Sequence, residues 1–122
     1  MKRYLILLLA LTARVAAAQG AAGTWSTQFD TQVGQQKYVF TFKQAGPVLT
    51  GTAKAEMAGQ PRDVVFSDVK VKGDTVTFAE SFEFQGNAVP ITYTGVVVGD
   101  EIRFSRKVAD FATETFVAKR EK

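Results

Sequence analysis

The chain has 122 residues, with 15 basic side chains against 12 acidic ones, and it contains neither cysteine nor histidine. The missing histidine excludes serine–histidine catalysis and the commonest zinc and copper ligand sets, and the missing cysteine excludes disulfide staples and a lipidated cysteine anchor. Stability must therefore come from one core, which a chain of this length has only just enough apolar surface to build.

The chain opens MKRYLILLLALTARVAAAQG. Lys2 and Arg3 form a charged start, Tyr4 to Ala13 an apolar run, and Ala16-Ala17-Ala18 a small-residue cleavage site, so 1–18 is expected to be a signal peptide and 19–122 the exported domain, secreted or periplasmic. Lys2, Arg3 and Arg14 leave with the signal, and the twelve basic residues that remain balance the twelve acidic ones. That balance leaves no basic stripe for nucleic acid or an anionic membrane surface. No later stretch approaches the roughly 20 apolar residues of a membrane-spanning helix.

Beyond Gly23 the pattern is alternation by twos punctuated by turn residues, with no window of helical period. Eight strands are predicted, over 24–32, 37–44, 48–56, 63–71, 75–84, 90–98, 101–106 and 113–120. The predicted turns are Val33-Gly34-Gln35, Gly46-Pro47, Ala58-Gly59-Gln60, Gly73-Asp74, Gly86-Asn87 and Gly99-Asp100. Sequential strands joined by short turns point to an all-β fold, a single-domain eight-stranded antiparallel up-and-down β-barrel. A two-sheet sandwich is the competing arrangement, because the connection from Lys107 to Ala112 is longer than the others.

Two-residue turns fix register, since opposed positions then share a constant index sum. Gly46-Pro47 sets Phe42 against Gly51, Phe40 against Ala53 and Tyr38 against Ala55, large against small as a tapering interior requires. Gly86-Asn87 sets Phe78 against Gly95, Phe82 against Ile91 and Glu80 against Tyr93. Gly99-Asp100 sets Phe104 against Gly95 and Arg106 against Tyr93, and Gly73-Asp74 sets Ser67 against Glu80. Glu80 lies on the apolar face of TVTFAESFEF, where a lone carboxylate would cost several kcal/mol. Register gives it company in a row of Ser67, Glu80, Tyr93 and Arg106, which Glu114 extends if the 107–112 connection permits.

GTW at Gly23 to Trp25 resembles the G-x-W start of the calycin superfamily, and LTGTA at Leu49 to Ala53 resembles the first hairpin of avidin-type barrels. The resemblance implies a tryptophan packed at one end beside an arginine from a late strand, Arg120 or Arg106. A single tryptophan, against the several that box biotin in such sites, argues against biotin. Over nearly the whole exported segment, through KGDTVTF, FEFQGN, ITYTGVVVGDEIRFSR and FVAKR, the chain looks like small exported lipocalin-like domains of environmental bacteria. That likeness implies the fold, export and a link to glycans, with no activity attached.

The expected function is a secreted, non-enzymatic binding module for a small amphipathic ligand or a glycan, held inside or at the mouth of the barrel without a metal or cofactor. Its expected ligand-binding residues are Glu80, Tyr93, Arg106, Ser67, Tyr38, Phe40, Phe82 and Phe104. Two alternatives stand beside it. One is a glycoside hydrolase working through Glu80 and Glu114, since that chemistry needs only two carboxyl groups. The other is a structural or interaction barrel with a filled core. Glu83, Asp100 and Glu101 fall outward or in turns, as solvated surface charges. An interior void above about 300 Å³ separates a ligand site from a filled core.

Overall fold

The computed structural model describes residues 20–122. The expected signal peptide and its cleavage after Ala18 lie outside the described residues. Nine strands follow one another: β1 (Gly23–Thr31), β2 (Gly34–Ala45), β3 (Val48–Met57), β4 (Gln60–Val65), β5 (Ser67–Lys72), β6 (Thr75–Phe84), β7 (Asn87–Val98), β8 (Glu101–Val108) and β9 (Ala112–Arg120). All belong to a single up-and-down antiparallel sheet of order β4-β3-β2-β1-β9-β8-β7-β6-β5, with no helix among the described residues. One sheet replaces the alternative of a sandwich.

Two expectations change here. The predicted strand 63–71 is two strands, because Asp68 takes a positive φ of 54° and the β5–β6 register slips between Ser67 and Lys70. This bulge, together with the inward turn of Phe66, lets the first half of the segment pair with β3 and the second half with β6. The ladder is therefore not a closed ring of eight. Its edges are β4 and β5, separated only by Phe66, whose N–H donates to the Gly51 carbonyl of β3 at 3.0 Å. A sheet whose two edges are consecutive in the chain must curl back on itself, an arrangement compatible with a barrel-like fold.

The register of β2 and β3 is as expected: Phe42, Phe40 and Tyr38 face Gly51, Ala53 and Ala55. So is that of β7 and β8, where Phe104 faces Gly95 and Arg106 faces Tyr93. The β6–β7 register differs. Its turn is Gln85-Gly86 rather than Gly86-Asn87, with φ of 54° and 82°, the pair of positive φ values that suits X-Gly with glycine second. The index sum falls by two, so Phe78 faces Tyr93, Glu80 faces Ile91 and Phe82 faces Val89. A slip of two preserves the face, and Glu80 stays inside.

The inward face is filled through its middle. Trp25, Tyr38, Phe40, Phe42, Ile91, Tyr93 and Ile102 are almost wholly buried, and Phe66, Phe78 and Phe104 pack among them. Phe78 stacks on Tyr93 at 4.6 Å between ring centroids, and Phe40 on Phe104 at 5.1 Å. These rings fit because glycine faces them: a Cβ on Gly95 would lie 2.6 Å from the Phe104 ring, and one on Gly51 2.8 Å from that of Phe42.

Candidate functional site

Glu80 is the hub of a buried polar cluster. Its Oε1 accepts from Tyr93 at 2.6 Å and from Tyr38 at 3.1 Å, while its Oε2 accepts from Arg62 Nη2 at 2.7 Å. Arg62 Nη2 also donates to the Tyr38 hydroxyl at 2.7 Å. Arg106 donates from Nε to the Tyr93 hydroxyl at 3.0 Å and from Nη1 to Glu114 Oε1 at 2.5 Å. Two guanidinium groups thus balance two carboxylates, and two phenols complete the carboxylate shell, which is what allows charge to lie buried among phenylalanines.

Burial, reinforced by Glu80, pushes the Tyr38 phenol above its ordinary 10.0. Burial also raises Tyr93 well above that value, with Tyr38 and Glu80 adding to the effect. Both phenols stay protonated and donate. Burial alone would lower the Arg106 guanidinium, but Tyr93, Tyr38 and the hydrogen bonds to Tyr93 and Glu114 outweigh it, so the net direction is upward and the charge is kept.

Above this cluster, toward the ends of β1, β6, β8 and the start of β9, lies a cavity of about 270 Å³. Its wall is mostly apolar, from Met57, Phe82, Val89, Ile91, Val108 and others, and its polar members are Thr31, Gln32, Gln36, Arg62, Arg106 and Glu114. Val33, Phe84 and Phe111 form an exposed apolar rim. Arg62 also spans the seam between β4 and β6, its guanidinium lying 4.8 Å from the Phe82 ring centroid. Two residues of this wall each hold a buried side-chain atom without a hydrogen-bond partner among the described residues, Gln36 Oε1 and Arg62 Nε, both closed off from solvent. Gln36 is only 3% exposed.

The structure distributes the expected ligand residues over several layers. Arg106 and Phe82 line the cavity, Glu80, Tyr93 and Tyr38 form the cluster beneath it, and Phe40 and Phe104 lie deeper in the core. Ser67 is a correction. The bulge that splits the predicted strand puts Ser67 opposite Ala79 and turns it to the exposed outer face, so it is no part of the polar row. Glu114, opposite Arg106 in the β8–β9 ladder, does extend the row. Of the carboxylates expected at the surface, Glu83 is exposed, Glu101 pairs with Lys119 at 2.8 Å and Asp100 accepts from Arg120.

Arg62 and Gln36 are the residues that sequence reasoning missed. The Ala58-Gly59 turn sets Arg62 opposite Ala55, itself opposite Tyr38, but beginning that strand at 63 left Arg62 outside it. Gln36 shares the parity of Tyr38 and Phe40, but it lay just before the predicted start of β2 at 37.

At the other end, Trp25 donates from its indole N–H to the Ala21 carbonyl at 3.0 Å, and Arg120 lies over its ring at 4.1 Å. All three nitrogens of Arg120 are used, on Asp100, Ala22 and Gly20. Gly23 is required there, because a Cβ would meet Arg120 Nη1 at 2.8 Å. Of the two arginines the resemblance allowed, Arg120 is the one beside the tryptophan. A hollow of about 430 Å³ borders this end, but no unpartnered buried atom faces it among the described residues.

Comparison with protein families, curated proteins and solved structures gave no match to this chain.

Proposed function

We propose that this protein is an exported, non-enzymatic binding module of lipocalin-like, barrel type that holds one small amphipathic molecule at the Gln36 end of its curled sheet. The observation that carries this reading is a mostly apolar cavity of about 270 Å³ whose wall also holds Gln36, Arg62, Arg106 and Glu114, above the buried Glu80 cluster. Buried polar groups are ordinarily satisfied, and convergent polar groups in an apolar recess are what orients a small ligand. At about 270 Å³ the cavity falls just below the roughly 300 Å³ expected of an enclosed ligand site, and its exposed rim favours a ligand held at the mouth over one enclosed in the core. The predominantly apolar wall supports an amphiphile over a glycan. Both Glu80 oxygens are engaged and Glu114 is paired with Arg106, which supports binding over carboxylate hydrolysis.

Fluorescence titration with Nile red, an uncharged apolar dye, tests the reading. Saturable binding at one site is expected. Ala112→Trp, which puts a large ring into the cavity wall, is expected to abolish it while leaving thermal stability near wild type. Absence of saturable binding, or binding unaffected by Ala112→Trp, would contradict the proposal.

A further inference from the structure

We infer that the rim of this cavity docks on a lipid surface of no net charge. The docking is carried by the rim itself, and only the passage of a ligand from lipid to cavity rests on the reading above. Successive turns of an up-and-down sheet alternate between its two ends, with β4 and β5 running on in one direction, so the turns after β1, β3, β6 and β8 share the cavity end. Turn positions ordinarily take Gly, Pro, Asn, Asp or Ser. Here Val33 and Phe111 occupy them, 57% and 73% exposed, and Phe84 ends β6 at 47%. All three also line the cavity, so one apolar surface runs from the tips of three hairpins to the inner wall. An exposed apolar patch that continues into a recess marks a contact site.

Charge and shape select the occupant. The four tips, 32–35, 57–60, 84–88 and 109–112, hold one charged side chain, Asp110, among apolar residues, glycines and side-chain amides. The next charges down the strands are Asp30, Glu56 and Glu83 against Lys37 and Lys107, while Arg62 and Arg106 are paired with Glu80 and Glu114. That excess of acid gives an anionic surface nothing to attract it. At the opposite end Val48 and Val98 are exposed too, but the turns there carry Asp74 and Asp100, flanked by Lys72 and Glu101. A stable protein interface needs about 800 Å² of close-packed contact per partner, and the middle of this patch is an opening. Separate hairpin tips can each sink into a fluid apolar layer without such a match, and an amphiphile would then pass from lipid to the cavity wall without its chain crossing water.

The test is co-flotation with phosphatidylcholine vesicles, with and without phosphatidylglycerol. The protein is expected to float with phosphatidylcholine alone, and neither added salt nor phosphatidylglycerol should strengthen or weaken the binding greatly. Phe111→Ser is expected to weaken partition about tenfold, as the loss of one buried phenylalanine would. Val65→Ser, at a residue 78% exposed but outside the rim, should leave it unchanged. Circular dichroism checks that both variants fold. Absence of flotation, equal loss in the two variants, or flotation only with phosphatidylglycerol would overturn the inference. A wild-type dimer in sedimentation that Phe111→Ser dissociates would assign the rim to a second copy and overturn it too. Nile red titration without vesicles separates the two claims. Saturable dye binding without flotation overturns the docking and leaves the cavity reading in place, whereas flotation without saturable dye binding supports the docking and contradicts the cavity reading.

Discussion

Two arginines, one at each end of the curled sheet, lie against aromatic rings and differ in what remains for them to bind. Arg120, over Trp25, spends its nitrogens on Asp100 and two backbone carbonyls. Arg62, over Phe82, binds Glu80 and Tyr38 through one nitrogen and keeps a buried Nε–H without a partner. The first is a finished structural contact. The second is half finished, beside an equally unpartnered Gln36 and a cavity. An arginine on an aromatic ring is thus no sign of a site by itself; the cavity that Arg62 lines is what sets it apart.

The largest way to break this comparison is at Glu80, on which the Arg62 end depends. Glu80→Gln removes the charge that balances Arg62 and is expected to cost about 3 kcal/mol, at the low end for a buried pair because Arg62 is a quarter exposed. In a domain of this size each kcal/mol lowers the melting temperature by about 4–8 °C. A melting temperature equal to wild type would show that the cluster does not hold the sheet together.

Next in size is the filled middle that separates the two ends. Gly95→Ala puts a methyl 2.6 Å from the Phe104 ring and 2.7 Å from Ile102. The expected cost is about 1–3 kcal/mol by denaturant titration, as for other overpacked cores. Affinity at the Gln36 end should be unchanged, because neither Phe104 nor Ile102 belongs to the cavity wall.

That core and its register were the most legible part of the sequence. Phe42 against Gly51 and Arg106 against Tyr93 follow from Gly46-Pro47 and Gly99-Asp100, two turns whose glycine does stand first. The slip at Gln85-Gly86 arose where glycine stands second and the next residue is also a turn former. The bulge at Asp68 was invisible, because nothing in SDVKV breaks the alternation while a single non-glycine residue takes a positive φ. Of the site, the cluster could be read because Glu80 stood out among phenylalanines. Gln36 and Arg62 could not, because each lay just outside a predicted strand and a polar residue beside a turn is ordinarily solvated.

A smaller effect sharpens the account of the phenols. Tyr38 and Tyr93 have raised folded pKa values, so between 10.0 and those values the folded chain holds protons that the unfolded chain has lost. Their contribution is fully present below pH 10.0 and is lost as pH rises beyond it. Tyrosinate absorbance of the native protein should lag that of the protein in denaturant. Tyr93, left alone by Tyr38→Phe, should titrate later than Tyr38, left alone by Tyr93→Phe. Coincident titrations would mean that the phenols are not held protonated by burial.

The central claim is that stability and binding are divided at this end of the sheet: Glu80 holds the fold, and the apolar cavity above it takes the ligand. Thermal melts and Nile red titrations of Glu80→Gln and Ala112→Trp test it directly. Glu80→Gln is expected to melt well below wild type and still bind the dye when folded. Ala112→Trp should melt near wild type and no longer bind. The opposite pattern, a Glu80→Gln protein of wild-type stability that fails to bind or an Ala112→Trp protein that still binds, would contradict the account.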